Sequence, residues 1–221
     1  MGAVEESTKT SIKGALAPSD YVHLHNHTHH SLLDGLTKIP LLMDRVKDLG
    51  MEAVAITDHG TMSGVIEFYK AAQGADVKPI LGMEAYVAAR SRHDRDPQKD
   101  KARYHLIILA MNNQGYQNLM KLSTQANLEG MYYKPRIDRE LLEQYNEGLI
   151  ILSACASGEL GEQLRVDNYE EAKKIASWYK GVFGDRYYLE LQDHGHPDNP
   201  VKWDVQVGIN KHLEKLSEEL D

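Results

Sequence analysis

The chain has 221 residues, 42% hydrophobic and 26% charged, with a formal net charge of −8. That length can bury one good core, and one large domain accounts for it better than two; the acidic balance argues against a protein that grips nucleic acid through bulk positive charge, so a phosphate substrate has to be drawn by local cations or bound metals. A single cysteine rules out an internal disulfide and suits a reducing cytoplasm, and no apolar run is long enough to cross a bilayer or to form a signal peptide's core.

Residues 1–20 are polar and aperiodic and read as a flexible leader, which leaves 21–221 as the domain. The stretch that follows, YVHLHNHTHHSLLDG from Tyr21 to Gly35, holds His23, His25, His27, His29 and His30, with Asp34 close behind. Tyr21 to His25 has the composition of a strand, and a period of two points His23, His25 and His27 to one face. Three imidazoles in a row make a rake of metal ligands, to which Asp34 adds a hard oxygen donor. The interleaved Val22, Leu24 and Leu33 look like core residues, which an expression tag lacks.

Lys38 to Leu49 has helical spacing and stops at Gly50. Ala53 to Thr57 is a short apolar run suited to a strand buried on both faces, ending in Asp58, His59 and Gly60. Met62 to Ala72 reads as a helix, and Lys78 to Val87 as a strand carrying Glu84. Arg90 to Arg103, with six Arg or Lys against three Asp, reads as an exposed loop. A strand over His105 to Ala110 and a helix over Gly115 to Leu128 come next. Tyr132 to Asp138 then leads into a helix near Arg139 to Tyr145. Strand Leu149 to Ser153 runs straight into Cys155; helix Tyr169 to Val182, strand Tyr187 to Gln192 and helix Val201 to Leu220 complete the chain. Strands alternating with helices imply a parallel sheet with crossover helices, closed as a barrel or doubly wound.

Singly, the unusual residues have plain explanations. Asp58-His59-Gly60 can be a capped turn, Asp34-Gly35 another turn, His105 a satisfied core histidine and Cys155 a small buried hydrophobe. Only Glu84, an acid inside an apolar strand, needs a partner outright. Jointly they fall at or near strand ends. A barrel gathers such ends on one rim, whereas a doubly wound sheet splits them, so the barrel unites more of the candidate ligands.

The segments HLHNHTHHSLLDG, AITDHG, GMEAYV, YHLIILA and LSACASGE resemble, in order, the motifs of the PHP (polymerase and histidinol phosphatase) domain family. EGMYYKPRID and YYLELQDHG resemble the branch at the N-terminus of bacterial DNA polymerase III alpha subunits. The resemblance implies an α/β fold, a distorted (β/α)7 TIM-like barrel whose rim binds up to three divalent ions, and 3′-5′ exonuclease activity that proofreads DNA by metal-activated water. It assigns metal binding to His25, His27, Asp34, His59, Glu84, His105 and Cys155. Glu84 (as bridging carboxylate), His59 and Asp58 are the expected catalytic group; Asp58 and His23 would act from behind the ligands, and His29 and His30 would not bind metal. Mixed N, O and S donors favour zinc or manganese. Lys134 and Arg136, with Arg90 to Arg103, are expected to draw in a DNA 3′ end. The polymerase core and the replisome are the implied partners. The family's last two ligands lie on a strand beyond the final helix, so this chain is expected to lack that strand, to bind fewer ions and to leave an edge on which a second copy can pair. The competing readings are a metal-stabilised scaffold for the polymerase core, without hydrolysis, and a stand-alone small-molecule phosphatase.

Overall fold

A computed structural model of the chain describes residues 17–32, 34–193 and 203–220; most of the proposed leader, and Leu33 among the expected core residues, lie outside this set. The sheet is built around β2 (Lys78–Ala88), the longest strand. Along one edge β2 pairs in parallel first with β1 (Ala53–Ile56) and, further on, with β5 (Lys134–Ile137). Its other edge pairs antiparallel with β3 (Arg103–Ala110). Beyond β3 come β6 (Leu149–Leu152), antiparallel, and then β7 (Tyr187–Tyr188), parallel to β6. A two-residue β4 (Met131–Tyr132) folds back antiparallel on β5.

The sheet is therefore mixed, which corrects the expectation of a parallel one. β3 runs against both of its neighbours, because the segment between β2 and β3 holds no crossover helix and simply returns the chain alongside the strand it left.

Side-chain alternation divides the sheet into two faces. Met83, Ala85, Val87, Leu106, Ile108 and Ile151 pack under helices, meeting Leu119 and Leu122 of α3 (Asn113–Leu128), Ala176 and Tyr179 of α6 (Tyr169–Phe183) and Leu213 and Leu216 of α7 (Trp203–Leu220). A second cluster joins β1 to α1 (Ile39–Asp48) and α2 (Val65–Gly74) through Val54, Ile56, Met43 and Phe68. The opposite face carries a small interior group, Ala55, Ile107, Leu109, Leu152 and Ala154. On β2 the residues left for that interior are Gly82, Glu84 and Tyr86, at odds with helix-facing Met83, Ala85 and Val87. Two short helices, α4 (Arg139–Gln144) and α5 (Glu159–Leu164), complete the set; the sequence reading missed α5.

Two further expectations change. Tyr21 to His25 is not a strand; it runs beside β1 through Ala55 N–H to His23 O (2.9 Å) and Thr57 N–H to Asn26 O (2.9 Å). The ladder stops there because Asn26 N–H donates to Thr57 Oγ1 (2.8 Å) instead of to backbone. The charged loop after β2 is not simply exposed. Arg136 is wholly buried and donates to the carbonyls of Gly130 (3.1 Å), Asp100 (3.3 Å), Arg92 (3.0 Å) and Asp94 (2.9 Å). Arg92, also buried, pairs with Asp138 (3.0 Å), Glu129 (2.8 Å) and Glu140 (3.0 Å), so the segment is an ordered clasp on β5. The terminal strands β4 and β7 have two residues each, which offers a second copy few backbone groups to pair with. Among the described residues no helix is long and apolar enough to cross a membrane.

Candidate metal centre

Glu84 is only 1% exposed and faces the sheet interior. Register places it opposite Ile107, and Tyr86 opposite His105. Because β3 is reversed, His105 near its amino end comes level with the carboxyl half of β2, so a residue from the start of one strand meets residues from the ends of others. His59, just past β1, bridges in parallel to Glu84. Gly60 makes that turn with φ +63°, and a Cβ there would meet Pro135 Cγ at 3.0 Å and the Tyr86 ring at 3.1 Å. The Tyr86 ring stacks on His59 at 5.2 Å between centroids.

Four imidazoles converge on the Glu84 carboxylate. His25 Nε2 lies 3.0 Å, His27 Nε2 2.5 Å and His59 Nε2 3.2 Å from Oε2, and His105 Nδ1 lies 2.9 Å from Oε1. Asp34 pairs with His27 Nδ1 and accepts from Ser31 Oγ at 2.9 Å. Cys155 Sγ lies 3.4 Å from His105 Nδ1, delivered by Ala154, whose φ of +61° is strained for a residue with a side chain. All seven expected ligands are thus brought together.

The charges follow from the packing. Burial pushes the Glu84 carboxyl upward, but the His105, His25 and His27 imidazoles outweigh it and hold the group well below the usual carboxylate range. Burial works against a charged His25, yet Glu190 and Glu84 raise it to about 10. His105 likewise overcomes burial, through Cys155 and Glu84, and reaches about 9. His59 is lowered to about 4 by burial, which the nearby Glu84 charge only partly offsets.

The donor set suits divalent ions. Triads His25–His27–Glu84, His27–Asp34–His59 and His59–Glu84–His105 each have ligand atoms within 4.8 Å of one another. His59 Nδ1 and Glu190 Oε2, both buried, have no hydrogen-bond partner among the described residues, which is the mark of polar atoms arranged for something else.

The PHP domain family matches residues 23–194 of the chain. The chain belongs to the PHP domain family. Within it, the DNA polymerase III subunit alpha of Borreliella burgdorferi is 45% identical over 203 residues, covering 91% of this chain and 17% of that protein. The corresponding subunit of Treponema pallidum is 49% identical over 182 residues, covering 81% and 16%. The chain therefore spans about one-sixth of the length of these relatives. An amidohydrolase from Chromobacterium violaceum, solved with bound sulfate and no metal, superposes with a TM-score of 0.53 at 13% identity, covering 89% of this chain and 83% of that one. That likeness supports the TIM-like PHP fold, with the reversed β3 as its distortion.

Other expected site residues take different places. Asp58 is buried and both its oxygens are occupied by Thr28, from N–H at 2.6 Å and Oγ1 at 2.9 Å; it braces the histidine segment rather than joining the cluster. His23 is exposed and contacts Tyr21 instead of following His25 and His27 inward. Arg136, expected to draw DNA, is committed to the clasp described above, a correction that leaves Lys134, whose Nζ sits 5.6 Å from the Tyr86 ring centre. Arg103 lies 6.0 Å from the same ring.

Sequence reading missed Glu190, whose Oε1 lies 2.7 Å from His25 Nδ1 and which Gln192 also contacts at 2.7 Å. The signal was present: an acid in the apolar run YYLELQ is the same anomaly that singled out Glu84.

Proposed function

We propose that this chain carries the metal-dependent phosphodiesterase centre of a bacterial DNA polymerase III alpha subunit, and that it removes nucleotides from a DNA 3′ end as a proofreading exonuclease. The observation that carries this reading is the buried Glu84 with four imidazoles closing on it, beside His59 Nδ1 and Glu190 Oε2, which are buried and have no hydrogen-bond partner among the described residues. The identity with polymerase III alpha subunits supports the replicative setting, which brings the polymerase core and the replisome as partners and the cytoplasm as location.

His25, His27, Asp34, His59, Glu84, His105 and Cys155 would hold the ions, zinc or manganese by their mixed donors. Such ions supply a water of lowered pKa and neutralise charge on the phosphate. The chain's own residues do the rest. Glu190 fixes the orientation of His25 through Nδ1. Thr28 and Asp58 hold the backbone between His27 and His29. His59, neutral near pH 7, presents a ring nitrogen free of other duties. Lys134 and Arg103, flanking Tyr86 beside His59, are the cations placed to meet a phosphodiester.

The test is release of label from 3′-labelled single-stranded DNA with manganese, using this chain and a version extended through the following strand. Release by either, abolished by chelator and by Glu84→Ala, is the expected result. No release by either form refutes the hydrolytic reading in favour of a metal-stabilised scaffold.

A further inference from the structure

Outside the Glu84 cluster, the rim carries a separate group of donors that the proposed reaction does not use. His30 Nε2 lies 3.1 Å from Glu67 Oε2. The His29 and His30 rings are 4.4 Å apart between centroids. One ligand atom from each of His29, His30 and Glu67 falls within 4.8 Å of the other two. We propose that His29, His30 and Glu67 form a second, solvent-facing site for a divalent transition metal of the zinc class, distinct from the histidine–carboxylate centre.

The segment that presents the two histidines is fixed on both sides. His29 N–H donates to Thr37 O (2.9 Å) and His30 N–H to Thr28 Oγ1 (3.2 Å), while Thr28 is buried and locked to Asp58. Ser31 N–H closes the turn on Thr28 O (2.9 Å). Little backbone freedom is therefore left to lose when an ion binds. The His30 ring has a made seat. It lies over Gly64, where a Cβ would come within 2.8 Å of His30 Cδ2 and 3.2 Å of Asp58 Oδ2. The missing side chain at the start of α2 is what lets the imidazole lie against the helix and meet Glu67 one turn later.

Two imidazoles and one carboxylate are the donors that zinc, cobalt and nickel take up, and three protein ligands leave positions open to solvent. An ordinary surface pair between His30 and Glu67 would need neither His29 within reach nor the glycine seat. His29 and Glu67 are both exposed, so changing either leaves the buried core residues in place. This inference does not depend on hydrolysis at the centre.

The test is equilibrium dialysis of the whole chain against micromolar zinc, with metal counted by mass spectrometry, and calorimetric zinc titration of the parent, His29→Ala and Glu67→Gln. Both variants are expected to hold one zinc fewer than the parent. The weakest class in the titration should lose more than about tenfold in affinity, at least what removing a supporting partner costs in other metal sites. Thermal stability in chelator should stay unchanged. Equal zinc counts and superimposable titrations for parent and variants would overturn the proposal, as would loss in Glu67→Gln but not in His29→Ala, which would leave no three-donor site.

Discussion

Replacing Glu84 by Gln keeps the volume and removes the one negative charge that His25, His27, His59 and His105 surround at 2.5 to 3.2 Å. In chelated protein His25 holds its proton to about 10 and His105 to about 9, against about 6.5 in an unfolded chain. Their contribution to stability is thus complete below pH 6.5 and is lost as pH rises through 9 and 10. Glu84 titrates below its unfolded value, so its contribution is present above about 4.5 and is lost as pH falls. The difference between parent and Glu84→Gln should accordingly be greatest between these limits. All five groups are mostly shielded from solvent, and breaking a buried ion pair by removing one partner costs about 3–5 kcal/mol. For a chain of this size that is a fall in Tm of roughly 10 °C. At pH 11 His25 and His105 are both largely neutral and the deficit should shrink to about 2 kcal/mol, the size of a hydrogen bond to a charged group. Urea unfolding in chelator at pH 6 and pH 11 measures both values. A deficit that is the same at the two pH values would refute the claim that protonated histidines balance the buried carboxylate.

Three other outcomes are expected. Glu190→Gln weakens zinc binding at the centre about 10–100-fold, because His25 loses the carboxylate that orients it; competition with a chromophoric chelator reads this, and an unchanged affinity removes Glu190 from the site. Zinc affinity rises with pH between about 6.5 and 9, by up to tenfold per unit for each proton displaced from His25 or His105, and calorimetry in buffers of different ionisation enthalpy should detect the released protons; a flat profile contradicts the charges assigned here. Arg136→Met leaves the carbonyls of Gly130, Asp100, Arg92 and Asp94 without their donor and costs at least about 3 kcal/mol, with faster proteolysis between residues 90 and 102. A loss below about 1 kcal/mol would mean that the clasp does not depend on it.

Part of the candidate ligand set was legible in the sequence because those members break local rules, while His59, His105 and Cys155 were singled out as ligands by the family resemblance. Histidines crowd into one segment, and Glu84 sits where an apolar strand should hold no acid. The direction of β3 was not legible. Strand patterning is blind to which way a neighbour runs, and a segment of some fourteen residues is long enough for either a crossover or a return. Arg136 was misjudged because Tyr132 to Asp138 read as a connection, where a cation looks free to meet substrate. The structure puts it in β5 instead, and only the surrounding carbonyls, contributed by a loop more than thirty residues upstream and by Gly130, distinguish a structural guanidinium from one that meets substrate. Asp58 beside His59 looked reactive, and nothing local shows that Thr28, 30 positions earlier, takes both its oxygens.

Along β2, Glu84 stands between Met83 and Ala85, which lie under the helices, and its pairing with β3 also sets the level of His105. Sliding either strand by one residue would turn the acid into the oily layer and swing the imidazole away from it. Exchanging single side chains at fixed register positions can therefore retune the pocket, whereas a register shift would dismantle it.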